Sequence, residues 1–291
     1  MSRADARAAL AIPLVLLLGA VMCWLGAAGG TQVGGLPVFA LCGLLAFGIN
    51  ALAFVPAYRN QTEHYYDLTG SMTYLVVVGT GFALGAQDPR ALLLASLVAF
   101  WALRLGTFLF ARIRSTGKDG RFDDIKPSAP RFLLAWILQG LWVLLTLACA
   151  LAAMTSSAPK PIGFFATVGT IVWLTGFSIE VVADWQKSRF RRDPENRNRF
   201  IQTGLWAWSR HPNYFGEIVL WCGIALIALP VLQGLQYATL ISPIFVYLLL
   251  TRVSGIPLLD ARAMERWKGD AAYLAYRECT PALLPRPPRT R

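Results

Sequence analysis

Eight apolar runs, at roughly 8–29, 36–57, 70–87, 90–111, 132–155, 162–186, 213–232 and 236–256, decide which solvent most of this chain can occupy. Each is close to the ~20 residues that carry a helix across ~30 Å of hydrocarbon. Inside hydrocarbon every backbone N–H and C=O must bond within the protein, so such runs fold as helices and not as loops or open strands. The sequence therefore predicts an all-α, polytopic transmembrane helix bundle of about eight spans. Seven spans are the alternative, because two short runs meet around Pro230 and could form one hairpin. Only 15% of residues are charged, against about a quarter in a soluble domain. No stretch is long and polar enough to be a soluble domain.

The charges test the count. With the N-terminus inside, 24 of the 27 Lys+Arg residues fall in inner segments. The outer loops hold only Arg90 and Lys160, and Arg104 lies within a span. This asymmetry follows the positive-inside rule and predicts that both termini are cytoplasmic. Removing one span would carry basic loops outside. The same loops, facing anionic lipid, account for the net charge of +11 without a nucleic-acid partner. The first run, with Arg3 and Arg7 ahead of it, has the outline of a signal peptide. Its apolar core is too long and another span follows at once, so a retained helix is expected. The chain divides into N-terminal helices (1–60), a larger membrane domain with inner loops (61–285) and a disordered tail (286–291), with disorder expected from Pro281 onward. Five cysteines lack metal-ligand spacing and read as small buried residues. Two histidines exclude a His-rich metal site.

Chemistry concentrates between the sixth and seventh runs. From Asp184 to Glu217 the chain carries Lys187, Arg189, Arg191, Arg192, Arg197, Arg199 and Arg210. Glu180 and Asp184 are four residues apart and stack on one helix face. If that helix continues inward, the face runs from acid through Lys187 and Ser188 to Arg191. Asp193-Pro194 should end it, because a residue before proline disfavours helix. Asn196 and Arg199 follow on an irregular segment. Arginine forks match phosphate oxygens bidentately, so the cluster suits a phosphorylated ligand. Pro212 favours the first position of the next helix, which places Arg210 and His211 at its cap and Asn213 and Tyr214 in its first turn. The free amides of that turn favour an anion. Gly216 allows a backbone or ligand to approach closely. Glu217 lies one turn inside the membrane, with Arg252 in the last span as a candidate partner.

Other candidates lie upstream. Segment 58–69 is dense in titratable groups, and Glu63, Tyr66, Asp67 and Gly70 recur at helical spacing. Arg104 within a span costs roughly 2.5–3.5 kcal/mol on insertion scales unless it meets a partner or water. The loop from Arg112 to Asp124, which includes Arg114, lacks the phosphate-loop frame. It is a second basic element able to close over a ligand. Trp136, Gln139 and Trp142 share a face of the fifth helix, a packing pattern. Asp260 to Tyr276 reads as one amphipathic helix that lies on the interface or covers the site.

The order Asp184…Phe190-Arg191…Asp193-Pro194-Glu195-Asn196…Gly204-Leu205-Trp206…Ser209-Arg210-His211-Pro212-Asn213-Tyr214-Phe215-Gly216-Glu217…Leu250-Thr251-Arg252-Val253-Ser254-Gly255 resembles the steroid 5α-reductase family, nearest its bacterial, largely uncharacterised branch. Tyr66-Asp67-Leu68-Thr69-Gly70-Ser71-Met72-Thr73-Tyr74 resembles that branch too, and the likeness covers roughly 60–285. It extends more weakly to sterol C14-reductases. The resemblance implies a membrane reductase of the bacterial inner membrane that takes NADPH from the cytoplasmic side. Its implied reaction reduces a carbon–carbon double bond conjugated to a carbonyl in a steroid-like or other lipidic substrate. By position, Asp184, Arg191, Arg199, Asn213 and Glu217 match cofactor-contacting positions, with Arg252 and, as additions, Arg104 and Arg114. Asn196, Arg210, His211 and Tyr214 complete the cofactor candidates. Two departures stand out. The helix that should supply a carbonyl-binding Tyr reads Trp101-Ala102-Leu103-Arg104, and the family's Gln-Glu pair has no clean equivalent. Tyr66 supported by Glu63 is the expected substitute.

Two other readings compete. The Arg-His-Pro-x-Tyr-x-Gly run also resembles isoprenylcysteine and phospholipid methyltransferases, which use S-adenosylmethionine. That cofactor has no phosphate for the arginines to hold. A passive scaffold, whose loops merely meet lipid, leaves Arg104, Glu180, Asp184, Glu217 and Arg252 as unexplained costly groups.

Overall fold

The computed structural model describes residues 2–116 and 119–288. Gly117 and Lys118 of the basic loop, residues 289–291, and the side chains at 112, 113, 115 and 116 lie outside the described residues. Eight helices among the described residues are long and apolar enough to span a membrane. The chain separates into two compact units, Met1–Ala166 with Ile227–Ser242, and Thr167–Leu226 with Pro243–Arg291.

The first unit is built around one helix. α1 (Arg3–Gly26), α2 (Val38–Arg59), α3 (Tyr66–Leu84) and α4 (Pro89–Thr116) all pack on α5 (Ala129–Met154). α5 is apolar all round, and from Val143 to Met154 nearly every residue is buried, as expected of a helix ringed by others. The loops alternate between its two ends. At one end Thr31 N–H donates to Thr155 C=O (2.7 Å) and Ala86 N–H to Met154 C=O (2.8 Å), joining three connections beside a short hairpin, β1 (Gln32–Val33) and β2 (Leu36–Pro37). At the other end the Ser128 hydroxyl donates to Asp5 (2.7 Å), and Glu63 meets Lys126. Arg90, an outer-loop residue by sequence, is buried, donating to the carbonyls of Ile227 (2.6 Å) and Pro161 (2.7 Å). It satisfies one carbonyl at a helix end and one in an irregular connection, both of which hydrocarbon would leave unpaired.

The second unit centres on α6 (Phe164–Arg192), whose first turn begins in the other unit, and α7 (Pro212–Ala228). They run antiparallel with touching backbones. A Cβ on Gly216 would lie 2.6 Å from Gly176 O and Glu180 N; one on Gly223 would lie 2.6 Å from Gly169 O and Trp173 N. Small residues at a crossing give this approach in membranes, and the close approach that Gly216 allows is made by the backbone of α6. A 3-10 turn (Leu229–Val231) holding Pro230 ends α7, and a second (Gly234–Leu240) leads into α8 (Ile241–Leu248), which resolves the count as eight. α8 continues as a π-helical turn, Leu249–Val253.

The tail departs from expectation twice. It is two helices, α9 (Ile256–Trp267) and α10 (Ala271–Cys279), because the Asp270 carboxylate caps a new start by accepting from Ala272 N–H (2.8 Å) and Tyr273 N–H (3.1 Å). Nor is the segment after Pro281 loose as far as Arg286. Arg210 N–H donates to Pro281 C=O, and Arg286 N–H to Trp208 C=O, both at 2.9 Å. Prolines hold this stretch extended and outside any helix, so its carbonyls remain available to the loop beside it.

Candidate functional site

The polar end of α6 forms as its sequence dictates. Arg189, Arg191 and Arg192 occupy the last turn, where cations offset the helix dipole. The helix stops at Arg192, and the Asp193 carboxylate accepts from Glu195 N–H (3.0 Å) to open a 3-10 turn, Pro194–Asn196. Asn196, half-buried, donates to Phe190 C=O (3.1 Å). A second 3-10 turn, Gly204–Ala207, folds back on α6: Leu205 N–H donates to Gln186 (3.0 Å), the Trp206 indole to Ala183 C=O (3.0 Å), and the Lys187 ammonium lies 4.4 Å from the Trp206 ring centre. These contacts return the connector to the start of α7.

α7 begins at Pro212, as the proline predicts. In its first turn Asn213 donates its side-chain amide to the nearly buried Asp184 carboxylate at 3.2 Å. Glu180 is buried one turn deeper on α6, and Glu217 half-buried one turn along α7. Tyr214 stacks on His211, rings 8° from parallel and 5.5 Å apart.

Arg210 and His211 both turn to one acid absent from the sequence-based candidates. Asp260 on α9 accepts from the Arg210 guanidinium at 3.0 and 3.1 Å and lies 3.2 Å from His211 Nε2. Burial lowers the His211 pKa; Asp260 opposes that, while Lys187 and Arg210 reinforce it. These two residues, expected to hold cofactor, thus anchor the loop before α7 to α9. α9 and α10 cover the connector elsewhere as well. Arg266 donates to Arg197 C=O (2.7 Å), Tyr276 to Trp206 C=O (2.7 Å), and Phe200 packs on Trp267, Tyr273 and Tyr276. Arg191 and Arg199 are exposed, as is Arg252 in the π-helical turn, a helical irregularity often found at functional sites.

The remaining candidates lie in the first unit. Tyr66 opens α3 and donates its hydroxyl to Ala135 C=O at 2.9 Å; its ring packs on Phe122 and Trp136. Glu63 precedes α3 instead of sharing its face, because the helix starts only at Tyr66. Its carboxylate accepts from Lys126 (2.5 Å) and from Asp119 N–H (2.9 Å). Burial pushes the Glu63 carboxyl upward, yet these two donors outweigh it and the net pKa is lowered. Gln139 donates to Tyr66 C=O (3.0 Å), the packing role expected of its face. Arg104 lies half-buried on α4 with its guanidinium 5.4 Å from the Phe108 ring centre, and Arg114 is exposed in the last turn.

The mouse 3-oxo-5-alpha-steroid 4-dehydrogenase 1 is 36% identical over 70 residues, 24% of this chain and 27% of that protein; the human protein is 35% identical over 71 residues. The match therefore spans about a quarter of the length of these relatives. A "Probable O-methyltransferase ustE" of Ustilaginoidea virens is 28% identical over 185 residues, 54% of this chain and 63% of its own. No solved structure matches the chain. The family described as "Protein of unknown function (DUF1295)" matches residues 53–280. The chain belongs to this steroid 5α-reductase-like family, as an all-helical protein of the integral-membrane type.

Proposed function

We propose that this protein is a membrane reductase that uses NADPH to reduce a carbon–carbon double bond conjugated to a carbonyl in a steroid-like or other lipidic substrate. The family and the local likeness to steroid dehydrogenases support a reductase. The observation that carries the cofactor assignment is the Asp184–Asn213 contact, which brings together two helix ends whose connecting segment carries the exposed Arg191 and Arg199. A pyridine dinucleotide needs cationic forks for its phosphates and polar partners for its ribose and amide. The Arg199 side chain makes no ion pair among the described residues and is open to a phosphate. Asp184, Asn213 and Glu217 offer the polar partners. Asn196, Tyr214, Arg252, Arg104 and Arg114 are the further assignments, while Arg210 and His211 serve by fixing the loop.

When bound, NADPH supplies the hydride. Tyr66 is assigned to hydrogen-bond the substrate carbonyl, where charge grows as the double bond is reduced, and Glu63 to support it. The Tyr66 proton is donated to Ala135, so this role requires exchanging one hydrogen bond, worth about 1 kcal/mol, for another. The excess of Lys and Arg in alternate loops supports a cytoplasmic placement of both termini and the cofactor loops, and the family resemblance supports a bacterial inner membrane.

The O-methyltransferase relative, whose match covers more of this chain, favours a second reading: methyl transfer from S-adenosylmethionine. Titration of the purified protein separates them. NADPH should bind at least tenfold more tightly than NADH, S-adenosylmethionine should not compete, and NADPH should be consumed with a lipidic enone. Binding of S-adenosylmethionine alone overturns the reductase.

A further inference from the structure

We propose that the exposed face of α6 bearing Trp185 and Arg189, with Asp193 just beyond the end of the helix, is a binding site for a zwitterionic membrane phospholipid, its phosphate on Arg189 and its primary ammonium on Asp193. Three independent features meet there.

The first is a continuous exposed stripe. Ile171, Leu174, Ser178, Val182, Trp185 and Arg189 follow one another at three- and four-residue steps, and all are exposed. They form one face of α6. Trp185 lies one position, about 100°, around the helix from Asp184. The stripe is therefore a different face from the one that meets α7.

The second is depth. Phe164 and Trp185, exposed at 75% and 57%, are 21 residues apart on one helix, about 32 Å at 1.5 Å per residue. That equals one hydrocarbon thickness, and an exposed tryptophan at one end of it suits the membrane interface. Trp185 thus stands at headgroup level. Arg189 is one turn farther from the hydrocarbon, and Asp193, in extended backbone, follows the last helical residue Arg192. Glycerol region, phosphate and amine of a phospholipid follow the same sequence.

The third is a cavity at this place. A surface pocket of about 380 Å³, open to one side, is lined by Trp185, Arg189, Phe190, Asp193, Asn196 and Thr203 among others. The Arg189 guanidinium lies 5.5 Å from the Trp185 ring centre. Asp193 uses one oxygen to cap Glu195. Among the described residues Arg189 and Asp193 pair neither with each other nor with any other charged side chain. An anionic headgroup would satisfy Arg189 and be repelled by Asp193. A headgroup with phosphate and primary amine satisfies both, and its acyl chains continue along Val182, Leu174 and Ile171.

The test is native mass spectrometry of the detergent-solubilised protein titrated with phosphatidylethanolamine, phosphatidylcholine and phosphatidylglycerol, beside NADPH titration of the same samples. Wild type should retain one phosphatidylethanolamine with at least fivefold preference over the other two. Arg189→Gln should lose that retention. Asp193→Asn, which keeps the helix cap, should abolish the preference over phosphatidylglycerol. Both variants should keep the wild-type melting temperature. Equal retention of all three lipids, or retention unchanged in both variants, overturns the site. Loss of NADPH affinity in the variants, or release of the lipid by NADPH, assigns the cavity to the cofactor and also overturns it, leaving the reductase reading intact.

Discussion

The side-chain amide of Asn213 donates to the Asp184 carboxylate across 3.2 Å, tying the polar end of α6 to the first turn of α7. Asp184 is 7% exposed, so the bond joins a nearly buried carboxylate to a half-buried amide. Asp184→Ala should destabilise the protein by about 1–3 kcal/mol and weaken NADPH binding by at least tenfold in a fluorescence titration. Asp184→Asn keeps a hydrogen bond without the charge. If it binds NADPH as tightly as wild type, the carboxylate acts through geometry alone.

The contact of α6 with α7 depends on the absence of side chains. Gly216→Leu forces atoms into space held by Gly176 O and Glu180 N and should cost about 1–3 kcal/mol or more, seen as a lower melting temperature and reduced folded yield. Gly48→Ala, where a Cβ meets nothing within 4 Å, should leave both unchanged.

His211 gives stability a pH dependence of known sign. Its folded pKa is lowered, first by burial, below its ordinary value near 6.5. The unfolded chain therefore takes up the proton first as pH falls. Stability should drop as pH is lowered through about 6.5 toward the folded value, and level off below it. Asp260→Asn removes the carboxylate that favours the imidazolium, so it should extend the loss to lower pH. Melting curves from pH 5 to 8 for wild type, Asp260→Asn and His211→Gln check this, and His211→Gln should flatten the dependence.

The Glu63–Lys126 pair locks one end of the first unit. Lys126→Met strands the carboxylate, whose side chain is 4% exposed. This should cost about 2–3 kcal/mol, less than the 3–5 of a fully buried pair because Lys126 is partly solvated. The net pKa of Glu63 is lowered. Its contribution is thus present above its ordinary value near 4.5 and lost as pH falls through the folded value. Glu63→Gln should remove that acid limb from a plot of melting temperature against pH.

Tyr66→Phe separates packing from catalysis. Loss of the bond to Ala135 should cost about 1 kcal/mol. If Tyr66 also serves as the acid, turnover should fall at least a hundredfold with NADPH affinity unchanged. A stability loss with normal turnover would limit Tyr66 to holding α3 against α5.

Much of this architecture is written locally. The spans follow from hydropathy, the end of α6 from Asp193-Pro194, and the start of α7 from Pro212. What could not be read is held across long separations. Asp260 reaches Arg210 and His211 over 50 and 49 residues, and no spacing rule links them. Its one signal was an acid at the head of a basic tail. The carbonyls from Pro281 to Leu283 bond to Ser209 and Arg210 through main-chain atoms, which composition does not reveal. The break between α9 and α10 had a legible cap in Asp270, but the amphipathic pattern continues through it.

The glycines between α6 and α7 recur at intervals of seven, Gly169 and Gly176 against Gly223 and Gly216. Sliding by less than two turns would drive side chains into backbone, so this pair works as a keyed shaft with one setting. Whatever gives way when a large ligand enters or leaves must then be sought elsewhere. In this unit the parts without such a key are the connector from Asp193 to His211 and the two short helices latched over it by Asp260, Arg266 and Tyr276. The latch can be undone one hydrogen bond at a time, whereas the rail beneath has no intermediate setting.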